Sequence, residues 1–340
     1  MSATPESEQA ASRGPDTLHR DATPAARKEE PAPRGELVRR AIAIAVWLAL
    51  FLGLVPLGNR VVPDETKAHV SLQTFLMTCQ ILTLVLGVGV TLLVLKRRRE
   101  GLGLTDLPRA HSLASAFLSV PLVFVASSWI ALQIALPTLM EELRTRGAGA
   151  SQQNAGEFGR ALTQAPLLTT LIWGALLGAL GEELFFRGLL WTTITDLTKR
   201  LLPPIEVEAP RTFGRRALEV LLDGAVATLV CAALFGWMHK DLPGGVGIVR
   251  VVSTTCLGLA SGMVRQATRG VLACIGLHAA YNALVIGAGR KWFASREEPV
   301  LTGVPNALLL AAIVGVLAIG IVAFARALSA RRARDPFAMD

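Results

Sequence analysis

Along this chain, apolar runs of bilayer-crossing length, roughly 17–25 residues each, recur almost without pause after residue 40 and are separated by short polar segments. They run from Ala41 to Gly58, Val70 to Leu95, Leu113 to Pro137, Pro166 to Thr195, Val220 to Met238, Val246 to Val264, Val271 to Ala288 and Val304 to Phe324. The pattern predicts an all-α protein, a polytopic membrane bundle of about eight transmembrane helices.

The polar segments divide the chain further. Residues 1–36 are rich in Ser, Thr, Pro, Ala and mixed charge, with few large apolar side chains, so they are expected to form a disordered cytoplasmic tail. Residues 37–164 hold the first transmembrane helices, 165–288 a helical core that carries the chemistry, and 289–340 a final transmembrane helix with a basic cytoplasmic tail. Pro203, Pro204 and Pro210 separate the fourth span from the fifth, and Pro243, Gly244 and Gly245 end the fifth just after His239.

Composition agrees with a membrane solvent: 52% of the 340 residues are hydrophobic and 18% charged, and the mean hydropathy is +0.48. The net charge of +8 does not point to nucleic acid, because the basic residues are not gathered into one domain with interleaved aromatics. They sit in alternate loops. Arg34, Arg39 and Arg40 precede the first span, Lys96 to Arg99 follow the second, Lys199 to Arg216 the fourth, Arg265 and Arg269 the sixth, and Arg326 to Arg334 the last. The positive-inside rule therefore expects both termini in the cytoplasm. The Ala, Gly and Arg richness suggests a bacterial cytoplasmic membrane. Cys79, Cys231, Cys256 and Cys274 all fall in or beside apolar spans without C-x-x-C spacing, and read as small packing residues. Gly174 with Gly178, and Gly258 with Gly262, have the spacing of close helix packing.

Ionisable side chains inside a membrane helix cost several kcal/mol, so each demands a reason. The fourth span reads Leu180-Gly181-Glu182-Glu183-Leu184-Phe185-Phe186-Arg187-Gly188. On a helix of 3.6 residues per turn Glu183 and Arg187 share a face and can pair, whereas Glu182 is rotated by about 100° and is free for another partner. The fifth span ends Phe235-Gly236-Trp237-Met238-His239, and the seventh holds His278 and Asn282, again four apart. If the fourth helix continues to about Thr195, these groups approach one depth. A carboxylate, two imidazoles and a carboxamide suffice to deprotonate a water, protonate a leaving amine and hold a developing oxyanion.

In order, the E-E-x-x-x-R, F-x-x-x-H and H-x-x-x-N motifs of this chain resemble the CAAX protease and bacteriocin-processing family of intramembrane peptidases, which includes the type II CAAX prenyl endopeptidases. The resemblance covers roughly residues 165–288 and runs through Glu182, Glu183, Arg187, Phe235, His239, His278 and Asn282. It implies an endopeptidase acting on a membrane-associated protein or peptide within the lipid bilayer. Glu182 with His239 would activate the water, His278 and Asn282 would support the oxyanion, and Glu183 with Arg187 would form a structural pair.

Two histidines and a glutamate, here Glu182, His239 and His278, are also a legitimate zinc set. There is no H-E-x-x-H, and with His278 serving the oxyanion too few ligands remain, so the expectation is a site without cofactor and zinc is the alternative. A non-catalytic immunity or regulatory membrane protein is a second alternative. A proton-relay transporter would string ionisable groups across the membrane or show paired broken-helix repeats, and neither is visible in the sequence.

Overall fold

A computed structural model describes residues 32–61, 72–96, 101–104, 110–147, 166–201 and 224–290. Seven helices account for most of them, and no strand occurs among the described residues: α1 Arg34–Val61, α2 Leu72–Val94, α3 Ala110–Arg146, α4 Leu167–Leu201, α5 Ala225–Met238, α6 Gly244–Thr268 and α7 Leu272–Gly289. Six are long and apolar enough to cross a membrane, α5 being the exception. Exposed side chains such as Leu93, Leu118 and Leu168 cover their outward faces, as a lipid-facing bundle requires. The expected eighth span, Val304 to Phe324, and the loop at 202–223 lie outside the described residues.

Several helices exceed the apolar runs that announce them. α1 begins at Arg34, seven residues ahead of Ala41, because its polar first turns have internal partners. The buried Arg40 places Nη1 2.6 Å from Asp196 Oδ2 of α4, and the Glu36 carboxylate accepts the Lys96 backbone N–H at 3.4 Å. Paired in this way, charges can enter the bundle. At the far end of α3 the helix continues past Pro137 to Arg146, and Glu142 accepts the backbone N–H of Gly245 at 3.1 Å, capping the start of α6.

α5 is shorter than the run from Val220 predicts. Its 14 residues span about 21 Å, less than the roughly 30 Å hydrocarbon core. The helix starts at Gly224, whose backbone (φ −149°) is not helical, and where a Cβ would lie 3.0 Å from both Trp191 and Gln266. It stops where His239 competes for its own helix: the ring Nδ1 takes the Phe235 carbonyl at 2.7 Å, and the His239 backbone N–H turns instead to Gly236.

α6 is the hub of the bundle, packed along α3, α5 and α7. A Cβ at Gly258 would come within 2.9 Å of the Ala232 Cα, so α5 and α6 meet backbone to backbone there. From α1 inward a file of rings, Trp47, Phe185, Phe186 and Phe235, stacks at centroid distances of 5.7, 4.8 and 5.2 Å. The file ends among the histidines.

Candidate active site

α4 carries the two adjacent glutamates, and its winding sets their surroundings. Residues Leu171–Leu177 and Leu184–Leu190 form wider π-helical turns on either side of an α-helical stretch, Gly178–Glu183. Such turns change which carbonyls the helix itself can satisfy, and backbone groups buried in a membrane need partners. Side chains from other helices supply them. Asn282 Nδ2 donates to Gly174 O at 3.2 Å, Cys231 Sγ to Phe186 O at 3.3 Å, and Arg265 Nε to Arg187 O at 3.0 Å.

Glu183 lies at the centre of the buried charges. Its Oε1 accepts from Arg187 Nη1 at 3.1 Å and from His278 Nδ1 at 2.9 Å. Arg187 spends its other arm on Gly258 O at 3.0 Å, and its guanidinium lies 4.9 Å from the Phe235 ring centroid. Glu183 and Arg187 are wholly buried and His278 nearly so. The pair inferred from helix spacing is therefore in contact, and it is also the anchor of a histidine from α7, a second task that spacing within α4 does not reveal.

The contact at Nδ1 orients the imidazole so that His278 Nε2 faces Glu182, with 3.7 Å to Oε2. That exceeds a direct hydrogen bond. Glu182 is the less enclosed carboxylate, 22% exposed against none for Glu183, and it lines a cavity between α1, α2 and α4. His239 joins from α5 through Phe235, whose ring centroid is 4.7 Å from that of His239 and 5.5 Å from that of His278. Glu182 and His278 are both close enough to act electrostatically on His239. With Nδ1 donating to the Phe235 carbonyl, the lone pair of a neutral His239 is on Nε2.

Glu182, Glu183, Arg187, His239 and His278 are thus gathered at one place. Asn282 stands one turn beyond His278, with one amide proton on the backbone of α4 and, among the described residues, no partner for the second. Among the described residues no group of three or more His, Cys, Asp or Glu side chains stands close enough together to hold a metal ion. Two arginines counted among the loop cations turn out to be internal: Arg40 pairs with Asp196, and Arg265 is buried against the Arg187 carbonyl with its guanidinium 4.8 Å from the Trp191 ring centroid. The sequence signal for Arg265 was its place within one turn of the end of α6, where a cation can turn inward as readily as outward.

Residues 163–284, from just ahead of α4 almost to the end of α7, match the family model described as type II CAAX prenyl endopeptidase Rce1-like. The segment is an Rce1-like domain. All five gathered side chains, with Phe235, Asn282 and Gly258, lie inside it. Comparisons with curated proteins and with solved structures give no match. With six apolar helices of spanning length among its described residues, three of them (α4, α6 and α7) in the matched segment, the chain is a multi-pass membrane protein and an intramembrane endopeptidase of the CAAX type.

Proposed function

We propose that the chain hydrolyses a peptide bond of a membrane-associated protein or peptide with a water activated by Glu182, without a metal. The observation that carries this reading is the division of labour between adjacent carboxylates. The Oε1 of Glu183 takes both Arg187 and His278, whereas Glu182 faces a cavity and stands 3.7 Å from His278 Nε2.

Glu182 takes one proton from the water as its oxygen attacks the scissile carbonyl carbon. His239 Nε2 accepts a hydrogen bond from the same water and orients it. The doubly protonated His278, donating from Nδ1 to Glu183, donates from Nε2 to the oxyanion, with the second amide proton of Asn282 beside it. Collapse of the tetrahedral intermediate breaks the C–N bond, and the proton held by Glu182 passes to the departing amine. The substrate's carboxyl side gains the water oxygen and its amine side the proton.

Cleavage in a single turnover in water enriched in heavy oxygen tests this. Direct attack by water labels the new carboxylate in the first turnover. An unlabelled first product, which arises when the Glu182 carboxylate attacks and water then opens the mixed anhydride at the Glu182 carbon, would overturn the reading.

The distribution of Lys96, Lys199 and Arg200 supports a chain with both termini in the cytoplasm, even with Arg40 and Arg265 removed from the count.

A further inference from the structure

The cavity at Glu182 is not built by the Rce1-like domain alone. About 170 Å³ in volume, it is walled by Phe51 and Leu54 of α1, Leu76 of α2 and Leu177 of α4, and Gln80 of α2 enters it among them. Gln80 is nine residues into α2, about 12 Å along its axis, which places a carboxamide deep within a spanning segment. Its Oε1 is buried and has no hydrogen-bond partner among the described residues. A buried acceptor left unpaired in a medium without water is costly, and polar groups at such depth are characteristically functional.

The amide lies against α4. A Cβ built on Gly178 would lie 3.4 Å from Gln80 Nε2, so the carboxamide rests over the backbone of Gly178. Gly178 is four residues before Glu182 in the α-helical stretch of α4 and shares its face, one turn of about 5.4 Å away. Thr83, the neighbouring polar residue of α2 in the same wall, already donates to the Cys79 carbonyl at 2.8 Å, so its hydroxyl proton is committed.

We propose that Gln80 is a substrate-binding residue: its Oε1 accepts a backbone N–H of the peptide lying in the cavity, holding an extended chain beside Glu182 while the apolar walls take a neighbouring side chain. The inference rests on the reading that Glu182 activates the attacking water, since that is what makes this cavity the substrate's. It assigns part of the site to a helix outside residues 163–284. The carboxamide is neutral and can meet a peptide group without bringing a further charge into the membrane, and the glycine beneath it leaves room for the amide to sit close to the helix.

The test uses the full chain in detergent and a fluorogenic peptide ending in a prenylated Cys-aliphatic-aliphatic-X sequence. It also uses a set of the same peptides, each with one backbone N–H outside the scissile bond replaced by an ester oxygen. Gln80→Leu and the length-preserving Gln80→Met should raise KM for the parent peptide about tenfold, the scale of one hydrogen bond, with kcat within about twofold. One ester peptide should lose about tenfold in kcat/KM against the wild type and nothing further against either variant. A purely structural Gln80 would lower the amount of active enzyme without this cancellation. An unchanged KM, or the same ester penalty in wild type and variants, overturns the assignment of Gln80 while leaving the role of Glu182 intact. No cleavage of the parent peptide by the wild type, with binding also absent, would overturn the reading of the cavity as the substrate site and the Gln80 proposal with it.

Discussion

The imidazole of His278 on α7 is held 2.9 Å from the Oε1 of Glu183 on α4, the same oxygen that Arg187 grips at 3.1 Å. One buried carboxylate therefore fixes both the charge balance of α4 and the direction of a site histidine. Its neighbour Glu182 is left to face the cavity.

Replacing Glu183 should damage the protein twice. Glu183→Gln leaves the buried Arg187 without its counter-charge, a change on the order of 3–5 kcal/mol, and frees the ring of His278. Folded yield, thermal stability in detergent and cleavage are all expected to fall. A variant as stable as wild type would contradict the central role given to this oxygen.

Arg265 should matter for folding although it touches none of the reacting groups. Its Nε satisfies the Arg187 carbonyl of the second π-helical stretch, so Arg265→Met should cost about 1–3 kcal/mol through a buried acceptor left unpaired. Arg265→Lys retains a donor and should be milder. Thermal unfolding of the two variants side by side checks the order, and equal losses would contradict it.

Much of this was legible in the sequence, and the exceptions have physical causes. The apolar runs mark six spanning helices because lipid demands continuous hydrophobic stretches. The four-residue spacing of Glu183 and Arg187 shows their pairing because it is local to one helix. The bond from His278 to Glu183 joins residues 95 apart, and no spacing rule reports it. Likewise Arg40 and Arg265 look like loop cations until Asp196 and the Arg187 carbonyl are seen beside them. The π-helical turns of α4 leave no periodic trace, since seven residues are too few to shift a hydrophobic pattern. The end of α5 at Met238, by contrast, is where the sequence placed it.

Close approach of α5 and α6 should be intolerant of a single methyl group. Gly258→Ala places a carbon 2.9 Å from the Ala232 Cα and 3.3 Å from Arg187 Nη2, so backbone must move. Stability should fall by about 1–3 kcal/mol, and activity with it. Gly53→Ala in α1 has nothing within 4 Å and serves as the control, neutral or slightly stabilising in the same melting assay.

If Glu182 and His239 act on the water directly and His278 serves the oxyanion, exhaustive chelation should leave cleavage unchanged. Activity of detergent-purified protein before and after treatment, with metal content measured on the same sample, checks this. Reversible loss restored by stoichiometric zinc would establish the metal-dependent alternative.

The role of Glu182 is the centre of the account, and one comparison addresses it most directly: cleavage of a prenylated CAAX peptide by wild type and Glu182→Gln, with the melting temperature of each recorded. Glu182→Gln keeps the shape of the side chain and removes the base. It should lower kcat by about 10²–10⁴-fold while melting with the wild type, because Glu182 is not part of the buried Glu183–Arg187 pair. A well-folded Glu182→Gln that cleaves at the wild-type rate would contradict the assignment.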